Sequence, residues 1–322
     1  MTFYSSNLTI SNTDVYVHTA AGEISEKAKN ISKELDIIDT NLYQGHSTMT
    51  NYVYIDAPIE KMVNVLVNYD VFYFLDDFFG EDTNTGQFPN LGKLFKIWNG
   101  EETHESNQTK VDRLYRSISY VSQALREDSP SSFFKRYTRS VIEHLDFSLS
   151  KKHYSSVDEY ISIRLRTGGM FLLIDLIEYV HSIYLSPEIR NNESLSIQEL
   201  QEQCALIGAL SNDLFSYAKE KHSDYNLVNA YLVTHEAKSY PEAVIKSIQR
   251  VNDIYSDFQS TMERAKANIA RLSKDEQKIV SKYFEALEVI VASSYHWQKV
   301  TNRYYHPENV FEDMKFKDEV ST

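Results

Sequence analysis

The stretch Asp76-Asp77-Phe78-Phe79-Gly80-Glu81-Asp82 puts four carboxylates within seven residues. On a helix, Asp77 and Glu81 stand at i and i+4 and share a face, with Asp76 beside them. Their mutual repulsion is offset by a hard divalent cation. The plainer alternative, a solvated acidic helix end, sets negative charge against the helix macrodipole. A second stretch, Asn212-Asp213-Leu214-Phe215-Ser216-Tyr217-Ala218-Lys219-Glu220, repeats oxygen-bearing side chains every fourth residue. Asn212, Ser216 and Glu220 then form one helical stripe of amide, hydroxyl and carboxylate oxygens, suitable donors for octahedral Mg²⁺. A polar stripe turned to water is the alternative. With Asp213 and Lys219 also fixed, a chance match is expected on the order of once in a hundred such chains.

The chain that must position these residues has 322 of them, enough for one large or two ordinary domains. A charged fraction of 25%, a hydrophobic fraction of 42% and a net charge of −13 describe a soluble globular composition. The acidic balance argues against nucleic acid as a partner. There are nine glycines, none beyond Gly208, and six prolines. This scarcity favours long helices over turn-rich β sandwiches or Gly-rich nucleotide folds. The single cysteine, Cys204, excludes internal disulfides and Cys-based zinc sites.

No basic or apolar leader opens the sequence, so a cytoplasmic protein is expected. The most apolar run, 170–185, is interrupted by Asp175, Glu178 and His181, which argues against a membrane span. Aromatic residues make up 13% of the chain, enough for a generous core or a cavity walled by rings.

Apolar residues recur at helical spacing over 23–38, from Ala57-Pro58 to Asp76-Asp77, and over 109–126, 131–149, 156–166 and 170–185. The pattern continues over 197–220, 225–235, 241–270 and 274–304, with 82–105 reading as a long surface loop. The expected architecture is all-α, a single bundle of roughly ten helices over residues 21–310. Residues 1–20 are expected to be a flexible arm and 311–322 a C-terminal tail.

The paired motifs resemble those of class I terpene synthases of the microbial type. Asp76, Asp77 and Glu81 are similar to the aspartate-rich motif in its DDxxxE form. Asn212, Ser216 and Glu220 are similar to the NSE triad, with Lys219 at the basic position before the final Glu. Arg303-Tyr304 resembles the family's late Arg-Tyr pair, with Trp297 as its pocket tryptophan. Arg164 to Gly169 resembles the segment that carries a diphosphate-sensing arginine and a helix break. Spacing to Asn212 selects Arg166 as the sensor, whereas the local pattern of Arg, linker and Gly selects Arg164, Thr167 and Gly168. Both stay open, with a slight preference for Arg164.

The resemblance implies a class I terpenoid synthase bundle around a central active-site cavity and three Mg²⁺ ions held by the two motifs. It implies that Arg164 or Arg166, Lys219, Arg303 and Tyr304 grip a prenyl diphosphate. The leaving group then departs without a proton donor, and aromatic faces shield the carbocation. Phe72, Tyr73 and Trp297 are the pocket candidates. Tyr73 shares a helical face with Asp76 and Asp77, and Trp297 lies seven residues before Tyr304.

The expected reaction is cyclisation of an acyclic prenyl diphosphate, the C15 farnesyl compound first, with C10 and C20 substrates as alternatives and a homodimer left open. An isoprenyl diphosphate synthase would carry a second aspartate-rich motif where Asn212 and Ser216 stand. A non-catalytic helical interaction protein has no need for a competent ligand at every metal position. Zincin, Walker A and Gly-x-Ser-x-Gly signatures do not occur.

Overall fold

The computed structural model describes residues 2–11, 15–38, 46–79, 89–149 and 153–315, with the backbone alone for His46, Ser47, Asp76, Asp77 and Phe79. It is all-α: among the described residues there is no strand, only an isolated bridge between Phe3 and Phe311. The chain forms two compact units, Tyr16–Leu149 with Asp175–Tyr184, and Met1–Val15 with Ser150–Ile174 and Leu185–Thr322.

The first unit contains α1 (Ala21–Glu34), α2 (Thr50–Val53), α3 (Ile59–Phe79), α4 (Leu91–Trp98), α5 (Lys110–Glu127) and α6 (Ser131–Leu149). The second begins with α7 (Val157–Thr167), and α8 (Met170–His181) runs from it into the first. The second unit continues with α9 (Pro187–Arg190), α10 (Ile197–Glu220), α11 (Leu227–Val233), α12 (Tyr240–Asn268) and α13 (Lys274–Val300).

Each unit is organised around one helix that packs against several others. In the first it is α3, packed against α1 and α5, with Met62, Val63, Val65, Leu66, Val67 and Val71 all buried. In the second it is α10, packed against α7, α12 and α13, with Leu200, Cys204, Ile207, Leu210 and Leu214 buried. Each central helix carries one of the two oxygen-rich motifs in its C-terminal part.

Small residues set the fit of α10 against the α7–α8 junction. A Cβ on Gly168 would stand 2.6 Å from the Ala209 Cβ and 3.0 Å from the Arg164 carbonyl, and one on Gly208 would collide with the Met170 side chain. The turn between α7 and α8 then takes Gly169 through φ +71°, a region that favours glycine. Capping fixes several helix starts. Ser156 accepts from the Glu159 N–H, and Thr109 with Asp112 and Ser273 with Glu276 form reciprocal boxes.

Four expectations are corrected. The presumed loop 82–105 contains α4, whose Leu94, Ile97 and Trp98 are fully buried and whose start is capped by Asn90. The flanking Gly and Pro residues hid its short apolar period. The helix expected to run to 304 ends at Val300, where Thr301 turns extended at ψ 140° and its hydroxyl accepts from the Arg303 N–H.

The expected N-terminal arm is packed instead. Phe3, Leu8 and Ile10 are buried, and Thr9 N–H donates to Asn252 Oδ1 at 2.8 Å. His18 is buried as well, its Nε2 2.8 Å from the Ala57 carbonyl. The start of the expected C-terminal tail is likewise packed, with Phe311 and Met314 buried.

Candidate active site

The stripe on α10 is formed as the four-residue spacing requires. Ser216 Oγ lies 2.8 Å from both the Asn212 carbonyl and Glu220 Oε2, the two acceptors open to its single proton. Asn226, which caps α11 through its Oδ1, donates from Nδ2 to the same Glu220 oxygen at 3.0 Å and to the Asp213 carbonyl at 2.7 Å. One asparagine thus ties the start of α11 to the end of the stripe.

Asp213, one residue along, anchors the neighbouring helix. Its carboxylate is fully buried and accepts from Arg164 Nε at 2.8 Å, Tyr160 hydroxyl at 2.5 Å and Leu227 N–H at 3.1 Å. Burial pushes the Asp213 carboxyl up to about 6, against the pull of Arg164. Burial would lower the Arg164 guanidinium, but Asp213, Tyr160 and Glu220 raise it above its ordinary value, so both partners are charged at neutral pH. Two further donors to Asp213, the Tyr160 hydroxyl and the Leu227 N–H, make such a pair tolerable inside the protein, where a lone charge would not be.

Arg164 Nη2 also reaches Asn212 Oδ1 at 3.2 Å. The structure therefore brings Arg164 to the stripe, while Arg166 is exposed on the same helix.

Asn212 Nδ2 donates to the Tyr304 hydroxyl at 2.7 Å. Tyr304 is buried, and burial raises its phenol above the usual value while Arg303 opposes the rise. Trp297 meets Tyr304 edge to face at 6.0 Å between centroids, and the Arg303 guanidinium lies 5.9 Å from the Tyr304 ring. Trp297 and Tyr304, expected on one face of a continuous helix, meet instead across the break after Val300. Lys219 is exposed, and desolvation together with Arg303 lowers its ammonium, with Glu220 opposing.

In the α3 unit, Asp76 and Asp77 occupy the last turn of α3, which has no basic residue. Glu81 lies outside the described residues. Phe72 stacks on Trp98 at 5.7 Å and 16°, and Tyr69 meets Phe72 edge to face at 5.9 Å. Tyr73 is half-buried on the same helix.

The Ser216 and Glu220 oxygens, hydrogen-bonded at 2.8 Å, stand at a separation close to the roughly 2.9 Å between adjacent ligands around an octahedral ion with bonds of about 2.0–2.1 Å, and their chemistry is compatible with a hard divalent cation. Among the described residues no group of three or more His, Cys, Asp or Glu side chains is poised to hold a metal. The stripe answers to that description only in part, because amide and hydroxyl oxygens replace two carboxylates.

Tyr160, Asn226 and Asn309 escaped the sequence reading as site residues. Asn226 carried a signal, its place as a cap before the apolar run LVNAYLV, but nothing local announces that its amide reaches Glu220.

Residues 68–257 match the family described as terpene synthase family 2, C-terminal metal binding, and the chain belongs to that family. It is a terpene synthase, an enzyme of the lyase class with a metal-binding domain. The match takes in both motifs and ends before Arg303-Tyr304. Among curated relatives, 10-epi-cubebol synthase of Sorangium cellulosum (strain So ce56) is 20% identical over 275 residues, 82% of this chain and 85% of that protein. (+)-T-muurolol synthase ((2E,6E)-farnesyl diphosphate cyclizing) of Streptomyces clavuligerus is 31% identical over 117 residues, 36% of this chain and 28% of that protein. The crystal structure of germacradien-4-ol synthase from Streptomyces citricolor superposes with a TM-score of 0.75 at 17% identity, covering 91% of this chain and 98% of that one. That likeness bears on the fold. Among the described residues, no helix is long and apolar enough to cross a membrane.

Proposed function

We propose that the chain ionises an acyclic prenyl diphosphate, the C15 farnesyl compound first, and cyclises the carbocation to a sesquiterpene with release of diphosphate. The observation that carries this reading is the Asn212–Ser216–Glu220 stripe, with Arg164 and Tyr304 both bonded to its first member. The C15 preference draws on the relatives, one of which is named as cyclising farnesyl diphosphate.

In this reading Asn212, Ser216 and Glu220 hold one Mg²⁺ and Asp76, Asp77 and Glu81 hold two more. Bound there, the ions neutralise charge on the diphosphate as it leaves. The residues do the remainder. Arg303, Lys219 and Arg164 donate to diphosphate oxygens, where a planar guanidinium meets phosphate bidentately. The Lys219 ammonium, lowered by desolvation and then by Arg303, is raised again when an anion sits beside both. Gly168 keeps the end of α7 close to α10, which holds Arg164 in reach of Asn212. The faces of Trp297, Phe72 and Tyr73 stabilise the cation while offering it no nucleophile, at about 2 kcal/mol for each desolvated ring. A cytoplasmic location goes with this reading.

Incubation with C10, C15 and C20 prenyl diphosphates and Mg²⁺, followed by mass spectrometry of the volatiles, tests it. The expected result is a cyclic C15 product. No terpene from any of the three substrates would sink the proposal.

A further inference from the structure

The two ends of the chain meet beside the Arg303-Tyr304 pair. Ser5 N–H donates to Asp313 Oδ1 at 2.8 Å, and the Ser5 hydroxyl bonds to the other oxygen of the same carboxylate. Glu312 N–H donates to the Phe3 carbonyl at 2.8 Å, and the Tyr295 hydroxyl donates to the Ser5 carbonyl at 2.8 Å. Phe311, fully buried, packs at 5.0 Å on Phe215 of α10, which itself lies 6.3 Å from the Tyr304 ring.

Asn309 sits at the centre of this arrangement. It is buried, and its Nδ2 donates to the carbonyls of Phe215 at 3.0 Å and Tyr304 at 2.8 Å, while its Oδ1 accepts from Phe311 N–H at 2.8 Å. Glu308 adds an ion pair with Lys221, at the end of α10, at 2.6 Å. Segment 304–314 is therefore fixed to α10 at three levels, through Asn212, Phe215 and Lys221.

This attachment answers a physical need. Tyr304 lies in a three-residue 3-10 turn after the end of α13, and such a turn is too short to hold itself. Chain ends are ordered only where something ties them down, and ordering them costs conformational entropy. Asn309 satisfies three backbone groups with one side chain, which makes it a lock more than a filler.

We propose that residues 3–9 and 309–314 form a clasp that holds Tyr304, and with it Arg303, in register with Asn212, making Asn309 and the Ser5–Asp313 pair positioning residues for diphosphate recognition. The inference rests on the reading of Arg303 and Tyr304 as diphosphate-binding residues. None of the clasp residues touches the substrate; they act through Tyr304.

The test uses the full chain with Asn309→Ala, Asp313→Ala, Asp313→Asn and Arg303→Ala. Mg²⁺-dependent binding of inorganic diphosphate is measured by calorimetry well below each variant's melting temperature, and Trp297 emission, isolated in a Trp98→Phe background, reports the position of Tyr304 against it. Asn309→Ala should weaken diphosphate binding about tenfold and Asp313→Ala about threefold, both with altered Trp297 emission. Asp313→Asn, which keeps an acceptor for Ser5 N–H, should bind as wild type does. Folded Asn309→Ala and Asp313→Ala proteins with unchanged affinity and only lower melting temperatures would overturn the clasp. Should Asn309→Ala fail to fold, the Asp313 pair decides alone, since that carboxylate is exposed. Weak binding by Arg303→Ala with normal binding by the clasp variants refutes the clasp and leaves the diphosphate reading standing. Normal binding by Arg303→Ala overturns that reading and the clasp with it.

Discussion

On α10 the oxygens of the motif are held by other polar groups. Asn212 is gripped by Arg164 and Tyr304, Glu220 by Ser216 and Asn226, and the buried Asp213 between them anchors α7 and α11. On α3 the approach to the motif is held by rings. Phe72 stacks on Trp98, Phe74 meets Phe78 edge to face at 5.5 Å, and the Lys110 ammonium lies 5.0 Å from the Phe78 ring. Directional bonds fix the orientation of the α10 side chains. Ring packing fixes the position of α3. The two helices are thus held by different physics.

Substitutions in the two motifs separate these halves most sharply. On the proposed reading, in which each change removes a metal ligand, Asn212→Ala and Asp77→Asn should each cut turnover by about a thousandfold or more. Steady-state assays of diphosphate release check this, and near-normal rates in either variant would leave its half of the site without a catalytic role.

The polar scaffold should also be the costlier one to cut. Asp213→Ala leaves Arg164 buried beside Asn212 without its partner, and a loss of about 3–5 kcal/mol in stability is expected by denaturant unfolding. In the α3 unit, Phe72→Leu should cost about 1 kcal/mol, the worth of one stacked ring pair. Equal losses would erase the contrast between the two helices.

Gly168→Ala falls between these, at about 1–3 kcal/mol, since its new methyl would meet Ala209 and the Arg164 carbonyl. A loss of Mg²⁺-dependent diphosphate affinity should accompany it, as α7 carries Arg164. The smallest effect concerns His296 in α13. Desolvation and Lys299 hold its imidazole below the ordinary 6.5, so the folded chain favours the neutral ring. Its contribution to stability is therefore complete above pH 6.5 and lost as the pH falls through the lower folded value. His296→Gln should flatten the decline of melting temperature over that acid range.

Much of this was legible in the sequence because it is periodic. The four-residue spacing of Asn212, Ser216 and Glu220 survives in the structure as a bonded stripe, and the long helices follow their apolar repeats. What escaped depends on residues far apart in the chain. Nothing near Ser5 announces Asp313, and nothing near Asn309 announces Phe215, so both ends read as loose. The choice between Arg164 and Arg166 needed the direction of a side chain around one helical turn, which spacing alone does not supply. Trp297 was matched to Tyr304 for a wrong reason, a continuous helix, and the two meet because the chain folds back after Val300.

Diffraction from crystals grown with Mn²⁺ and inorganic diphosphate reaches the central claim directly. Anomalous peaks within coordination distance of Asn212, Ser216 and Glu220, others at Asp77, and diphosphate in contact with Arg303 are the expected result. Manganese at neither motif would contradict it.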